Sequence, residues 1–119
     1  MSLPRITAVW VVFWVAFFAA THTPKPERLH LPTAHLDKVI HFAGYAALAT
    51  LCATHARSAG RPRNRRWFIT WIVILAVYAA FDEITQPLVN RSASVFDWLA
   101  DMLGVLAAFL IIRTRDARK

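Results

Sequence analysis

The sequence predicts an all-α membrane protein, a four-transmembrane-helix bundle with both termini cytoplasmic. Three observations carry that expectation. Of 119 residues, 57% are hydrophobic and only 18% are charged. The charges are bunched, with long apolar runs between the bunches. The basic residues sit beside those runs. A soluble domain of this size would need polar residues spread over its large relative surface. Mean hydropathy is +0.41. The whole length, residues 1–119, is expected to form one transmembrane domain.

The spans are predicted at about residues 5–21, 38–55, 66–86 and 95–113. Crossing a hydrocarbon core of roughly 30 Å takes about 20 helical residues. In lipid each backbone amide needs an internal partner, so a span is a helix or part of a closed barrel. Barrel strands alternate polar and apolar residues, whereas these runs are continuous. The first run, between Pro4 and Pro24, resembles a signal peptide in having Arg5 ahead of an apolar stretch. Cleavage after Ala20 or Ala19 would place Phe18 or Phe17 where a small residue is needed, so the helix is read as retained.

Orientation follows from arginine. Arg57, Arg61, Arg63, Arg65 and Arg66 surround the second connection, and Arg113, Arg115, Arg118 and Lys119 close the chain. Positive charge concentrates on cytoplasmic connections. This places the protein in the cell (inner) membrane as a multi-pass protein, with the first and third connections facing the periplasm or exterior. The same placement explains the net charge of +7 without nucleic acid, for which no binding signature is present. Six of the seven acids, Glu27, Asp37, Asp82, Glu83, Asp97 and Asp101, then fall on the outer side, and only Asp116 is cytoplasmic.

Small residues indicate where helices touch. Ala43, Gly44, Ala46, Ala47 and Ala49 in the second span, and Gly104, Ala107 and Ala108 in the fourth, predict a close central pair. The first span has no charge after Arg5 and is expected at the periphery. The connection over residues 21–36, with Pro24, Pro26 and Pro32, is expected to be extended and to cover part of the outer face. Cys52, the lone cysteine, is read as a packing residue.

Residues four apart share a helix face, so Asp37, His41 and Tyr45 form one polar stripe, with Lys38 beside it. Tyr78, Asp82 and Gln86 form a second, and Glu83 lies about 100° round from Asp82. Asp97 and Asp101 form a third, one turn apart, and Arg91 is the sole basic residue of the third connection. An acid at the centre of a span costs about 2.5–3.5 kcal/mol, so such residues are functional by default. Asp82, Glu83, His41 and Asp101 are the candidate catalytic groups, acting as general acid and base. Asp37, Lys38, Tyr45, Gln86, Arg91 and Asp97 are the candidate binding groups, with Arg91 and Lys38 suited to a phosphate or carboxylate. The excess of acids could recruit protons or a cation, but no metal ligand pattern is present and no cofactor is indicated.

Each assignment has a plainer counterpart. Ser94-x-x-Asp97 matches a helix capping box, and Asp37 sits where an N-cap would. Lys38 could simply reach to the interface, Tyr45 and Tyr78 could pack, and His41 could be a hydrogen-bonded interfacial histidine. Trp10, Trp14, Trp67, Trp71 and Trp98 are read mostly as interfacial anchors, and His22, His30 and His35 as loop residues.

Three pieces, Asp37-Lys38-x-x-His41-Phe42-x-x-Tyr45, Asp82-Glu83-x-x-Gln86 with Arg91, and Asp97-x-x-x-Asp101-x-x-Gly104, together resemble the VanZ-like membrane protein family. The resemblance covers the last three spans. The sequence departs from relatives at Pro87-Leu88-Val89-Asn90, where many carry Phe and a Pro-Gly pair, and at Asp101 and Ala108, where many carry Asn and Gly. The resemblance implies a cell-envelope membrane protein, in a family whose founding member is linked to teicoplanin (glycopeptide) resistance. The expected partners are the lipid bilayer and a lipid-linked or amphiphilic small molecule. Binding or chaperoning of an acylated amphiphile or envelope partner without catalysis is the alternative. An ion-coupled transporter ranks third, because four short helices would then need to self-associate as a homo-oligomer.

Overall fold

A computed structural model describes residues 2–24 and 33–118. It contains four helices, α1 (Leu3–Thr21), α2 (Thr33–Ser58), α3 (Arg65–Thr85) and α4 (Val95–Asp116), with a 3₁₀ turn at Gln86–Val89. All four are long and apolar enough to cross a membrane. The shortest, α1, has 19 residues, or about 28 Å of helix, close to the thickness of the hydrocarbon core. The molecule measures 49 × 26 × 22 Å, so its long axis exceeds the thickness of that core.

Local sequence sets the helix ends. Pro4 stands in the first turn of α1, where its missing N–H costs nothing. Asn64 caps α3 by accepting from the Trp67 N–H at 2.9 Å. Asn90 ends the 3₁₀ turn with φ 59° and ψ 35°, a left-handed conformation that asparagine tolerates better than most residues. The α2 helix begins at Thr33, ahead of the predicted start at 38. Asp37 and His35 are therefore helical, and Asp37 is not an N-cap. Pro26, Pro32, Glu27 and His30 fall outside the described residues, as does the expected covering of the outer face.

The central pair is α2 and α4, packed most closely where Gly104 meets the backbone of Phe42. A Cβ built on Gly104 would lie 2.2 Å from the Phe42 carbonyl oxygen. The buried core is Tyr45, Leu48, Ala49, Ala53, Leu75, Ala79, Val105 and Phe109. Large apolar residues such as Val12, Val15, Val77, Ile84, Val95 and Leu110 face outward. Polar groups are inside and apolar groups outside at one end, which suits a lipid surround.

The tryptophans do more than anchor an interface. Trp10 meets Trp71 edge to face at 5.9 Å and stacks on His55 at 4.9 Å. Trp14 meets Tyr78 edge to face at 4.9 Å. These rings pack α1 against α2 and α3. The α1 helix is largely exposed along its length, with only Ile6 and Thr21 buried.

Candidate functional site

At the end of the bundle opposite the arginine-rich second connection and C-terminal tail, four helix ends converge. The α2 and α4 helices start there, and α1 and α3 finish there. The described acids, apart from Asp116, all lie at this end. Asp82, Glu83, Asp97 and Asp101 are buried, as are His41 and Gln86.

The innermost pair is His41 and Asp101, with Nδ1 and Oδ1 2.8 Å apart and both side chains almost fully enclosed. With Asp101 ionised, its oxygen can only accept and Nδ1–H is the donor. Nε2 is then left as the other functional nitrogen, and it is buried with no hydrogen-bond partner. Glu83 approaches the same imidazole, Oε1 lying 3.7 Å from Nδ1. The Gln86 amide donates to Glu83 Oε1 at 3.3 Å. The backbone N–H of Ser94 donates to Glu83 Oε2 at 2.8 Å.

That last contact decides the capping question. In a capping box Asp97 would take the Ser94 N–H. Glu83, from another helix, takes it instead, and the Ser94 side chain makes no cap bond. Asp97 is thereby released to face Lys38, whose Nζ lies 3.6 Å from its Oδ1. Beside this pair, Asp37 accepts from Arg91 at 3.4 Å. The same guanidinium donates to the Thr23 carbonyl at 3.1 Å and reaches the Ala20 carbonyl at 3.5 Å. Arg91 thus ties the end of α1 to the start of α2.

Adjacent in sequence, Asp82 and Glu83 serve different neighbours. Asp82 faces α1, accepting from the Thr21 hydroxyl at 2.8 Å and lying 3.4 Å from His22 Nδ1. His22 Nε2 sits 2.7 Å from the Thr85 hydroxyl. The predicted single cluster is therefore two linked ones: His41, Asp101, Glu83 and Gln86 between α2, α3 and α4, and Thr21, His22, Asp82 and Thr85 between α1 and α3. Sequence reasoning missed Thr21, and left His22 as a loop residue. Their signal was weak, since a threonine and histidine at the end of an apolar run are common. Tyr45 and Tyr78 lie deeper, ring to ring at 6.1 Å, and their hydroxyls make no hydrogen bond.

Two sets of side chains have metal-ligand spacing, with ligand atoms within 4.8 Å of one another: Asp37, His41 and Asp97, and His41, Glu83 and Asp101. One imidazole and two carboxylates would suit zinc or manganese. Each set already has protein partners, however. Lys38 and Arg91 balance the outer carboxylates, and Ser94, Gln86 and His41 bond the inner ones. His41 Nε2, Asp97 Oδ1 and Asp101 Oδ2 nevertheless make no hydrogen bond, so not every ligand atom of these sets is taken.

Beside Glu83, a groove of about 310 Å³ opens between α3 and α4. Its walls are Ala80, Ile84, Val95 and Trp98, and Glu83 and Ser94 line it as well. Trp98 is fixed there by its indole N–H, which donates to the Ala76 carbonyl at 3.1 Å.

Residues 4–116 match the family described as VanZ/LLP1. The chain belongs to the VanZ/LLP1 family. No curated protein and no solved structure matches it. The match takes in α1 as well as the three spans whose motifs resembled VanZ, so Thr21 and His22 fall within the VanZ/LLP1 region.

Proposed function

We propose that this VanZ/LLP1 protein holds a lipid-linked or otherwise amphiphilic envelope molecule, with its apolar part in the α3–α4 groove and its polar head at the His41–Glu83–Asp101 cluster. The carrying observation is the groove itself. Its walls are apolar and open sideways, where Ile84 and Val95 are exposed, and a buried carboxylate forms part of its lining. A ligand with one greasy and one polar end fits such a surface, and the lateral opening admits it from the bilayer. The arginine distribution supports an orientation in which this end of the bundle lies outside the cytoplasm.

The chemistry that suits the cluster is proton transfer. His41 is oriented by Asp101 through Nδ1, so Nε2 is the atom that would give or take a proton. Glu83, lining the groove, is the second group.

A non-catalytic binder of an acylated amphiphile, such as a lipoglycopeptide, is the second reading. It is favoured by the two hydrogen bonds that already occupy Glu83. Transport fits less well, because Tyr45, Leu48, Leu75, Ala79 and Val105 close the bundle beneath the site.

Purified protein in nanodiscs, given radiolabelled lipid-linked envelope precursors, separates these readings. Turnover to a new product, lost in Glu83→Gln, supports the enzyme. Equal binding by both proteins with no product supports the binder. No amphiphile bound at micromolar concentration would remove the proposal.

A further inference from the structure

The opposite end of the bundle carries features that the outer site does not use. A cavity of about 460 Å³ lies between α2 and α4 among Thr50, Thr54, Arg57, Ile112, Arg115 and Arg118. Arg63 and Asp116 also border it, but they are spent on each other at 2.6 Å, and Arg63 also donates to the Ala53 carbonyl. Among the described residues Asp116 is the one acid at this end, and Arg57, Arg115 and Arg118 have no carboxylate partner there.

A second cavity, of about 540 Å³, runs along the outer face of the same helix pair. It is a shallow apolar trough between Phe42, Ala46, Leu51, Ala107 and Ile111. The alanines make it a trough, because small side chains on both helices leave the surface recessed. Thr50 borders both cavities, so the trough leads into the basic pocket. From Phe42 to Thr54 is about 18 Å along α2. One leaflet of hydrocarbon is about 15 Å deep.

We infer that this paired groove and pocket form a binding site for an anionic phospholipid, with one acyl chain in the α2–α4 trough and the phosphate between Arg57, Arg115 and Arg118. Charge complementarity selects the occupant. Guanidinium groups match phosphate oxygens in forked geometry. Basic pockets between helices on the cytoplasmic side are suited to anionic headgroups. Nucleic acid or free phosphate would use the arginines but leave the trough without purpose. A neutral lipid would fill the trough but bring no net negative charge to Arg57, Arg115 and Arg118. The inference does not depend on the reading of the outer site.

The sequence supplies its own control. Arg61 and Arg66 belong to the same arginine-rich connection but do not border the pocket. Detergent-purified protein would be titrated with phosphatidylglycerol and with phosphatidylcholine, and bound lipid counted by native mass spectrometry. Phosphatidylglycerol should be retained preferentially. The pair Arg57→Gln and Arg115→Gln should weaken its retention about ten-fold or more. The charge-matched pair Arg61→Gln and Arg66→Gln should change it little. Ala107→Phe, which fills the trough and keeps every arginine, should also weaken it. Equal loss in the two arginine pairs would overturn the inference in favour of diffuse charge. Unchanged retention in Ala107→Phe, or full competition by inorganic phosphate, would overturn it as well. Should the Arg57 and Arg115 variant not fold, the lipid preference of the wild type and of Ala107→Phe still decides the matter.

Discussion

Adding one methyl group at Gly104 should disrupt both the bundle and the site. A Cβ there would lie 2.2 Å from the Phe42 carbonyl oxygen and 3.1 Å from the Ala46 nitrogen, both backbone atoms. Ordinary contact begins near 3.4 Å, so α2 and α4 must separate by about an ångström. His41 is next to Phe42, and Asp101 is one turn from Gly104. The 2.8 Å bond between them would be stretched beyond hydrogen-bonding range. Overpacking costs about 1–3 kcal/mol, and loss of a buried hydrogen bond to a charged group about 1.5–3 kcal/mol. Gly104→Ala should therefore lose about 3 kcal/mol, a fall of roughly 10 °C in melting temperature.

Gly44→Ala is the matched comparison. Its new Cβ would lie 2.2 Å from the Phe17 ring, but the atoms met are the far edge of a side chain on α1, which can turn away. Both substitutions gain the same helix propensity, so the difference isolates backbone contact. Gly44→Ala should cost about 1 kcal/mol or less. Cys52, the lone cysteine and 2% exposed, offers the assay. A thiol-reactive maleimide dye added during a thermal ramp reports when the core opens. If Gly104→Ala melts at or above Gly44→Ala, the close approach of α2 and α4 is wrong.

Four further outcomes can be checked. Asp101→Leu should destabilise by about 2 kcal/mol or more in the same assay, because it strands His41 Nδ1, whereas Asp101→Asn keeps an acceptor and should lose less. Glu83→Ala should speed amide exchange at residues 94–98, since the Ser94 N–H loses its acceptor, while Glu83→Gln should leave that exchange close to wild type. Arg91→Lys should loosen the end of α1, seen as faster exchange over residues 18–24, because an ammonium cannot span Asp37 and the α1 carbonyls together. Reporter fusions after residue 62 and at the C-terminus should score as cytoplasmic and an insertion near residue 90 as external; the opposite pattern would invert the proposed orientation.

The spans were legible because lipid imposes a simple rule, that a long apolar run must satisfy its own backbone as a helix. The α2–α4 pairing was legible for a similar reason, since clustered small residues mark where helices approach. The site was legible only in part. The alternation of the spans put His41, Glu83 and Asp101 at one level, but spacing along a helix says nothing about which neighbour each face meets. Asp82 therefore appeared to share a site with Glu83, although the angle between them sends it to Thr21 and His22. The capping motif at Ser94 misled for a related reason. It scores local partners, and the partner that won came from α3.

By itself the sequence determined the class of protein, the number of spans and the residues that lipid cannot tolerate unpartnered. Those follow from the chain's free energy in a bilayer, which depends on composition and helix length alone. Only the tertiary structure decided which acid faces which base, that Glu83 caps α4, and that α1 closes one side of the polar end. Such outcomes turn on contacts between residues far apart in the chain, such as Thr21 with Asp82 and His41 with Asp101, each 2.8 Å apart, and no local pattern encodes them.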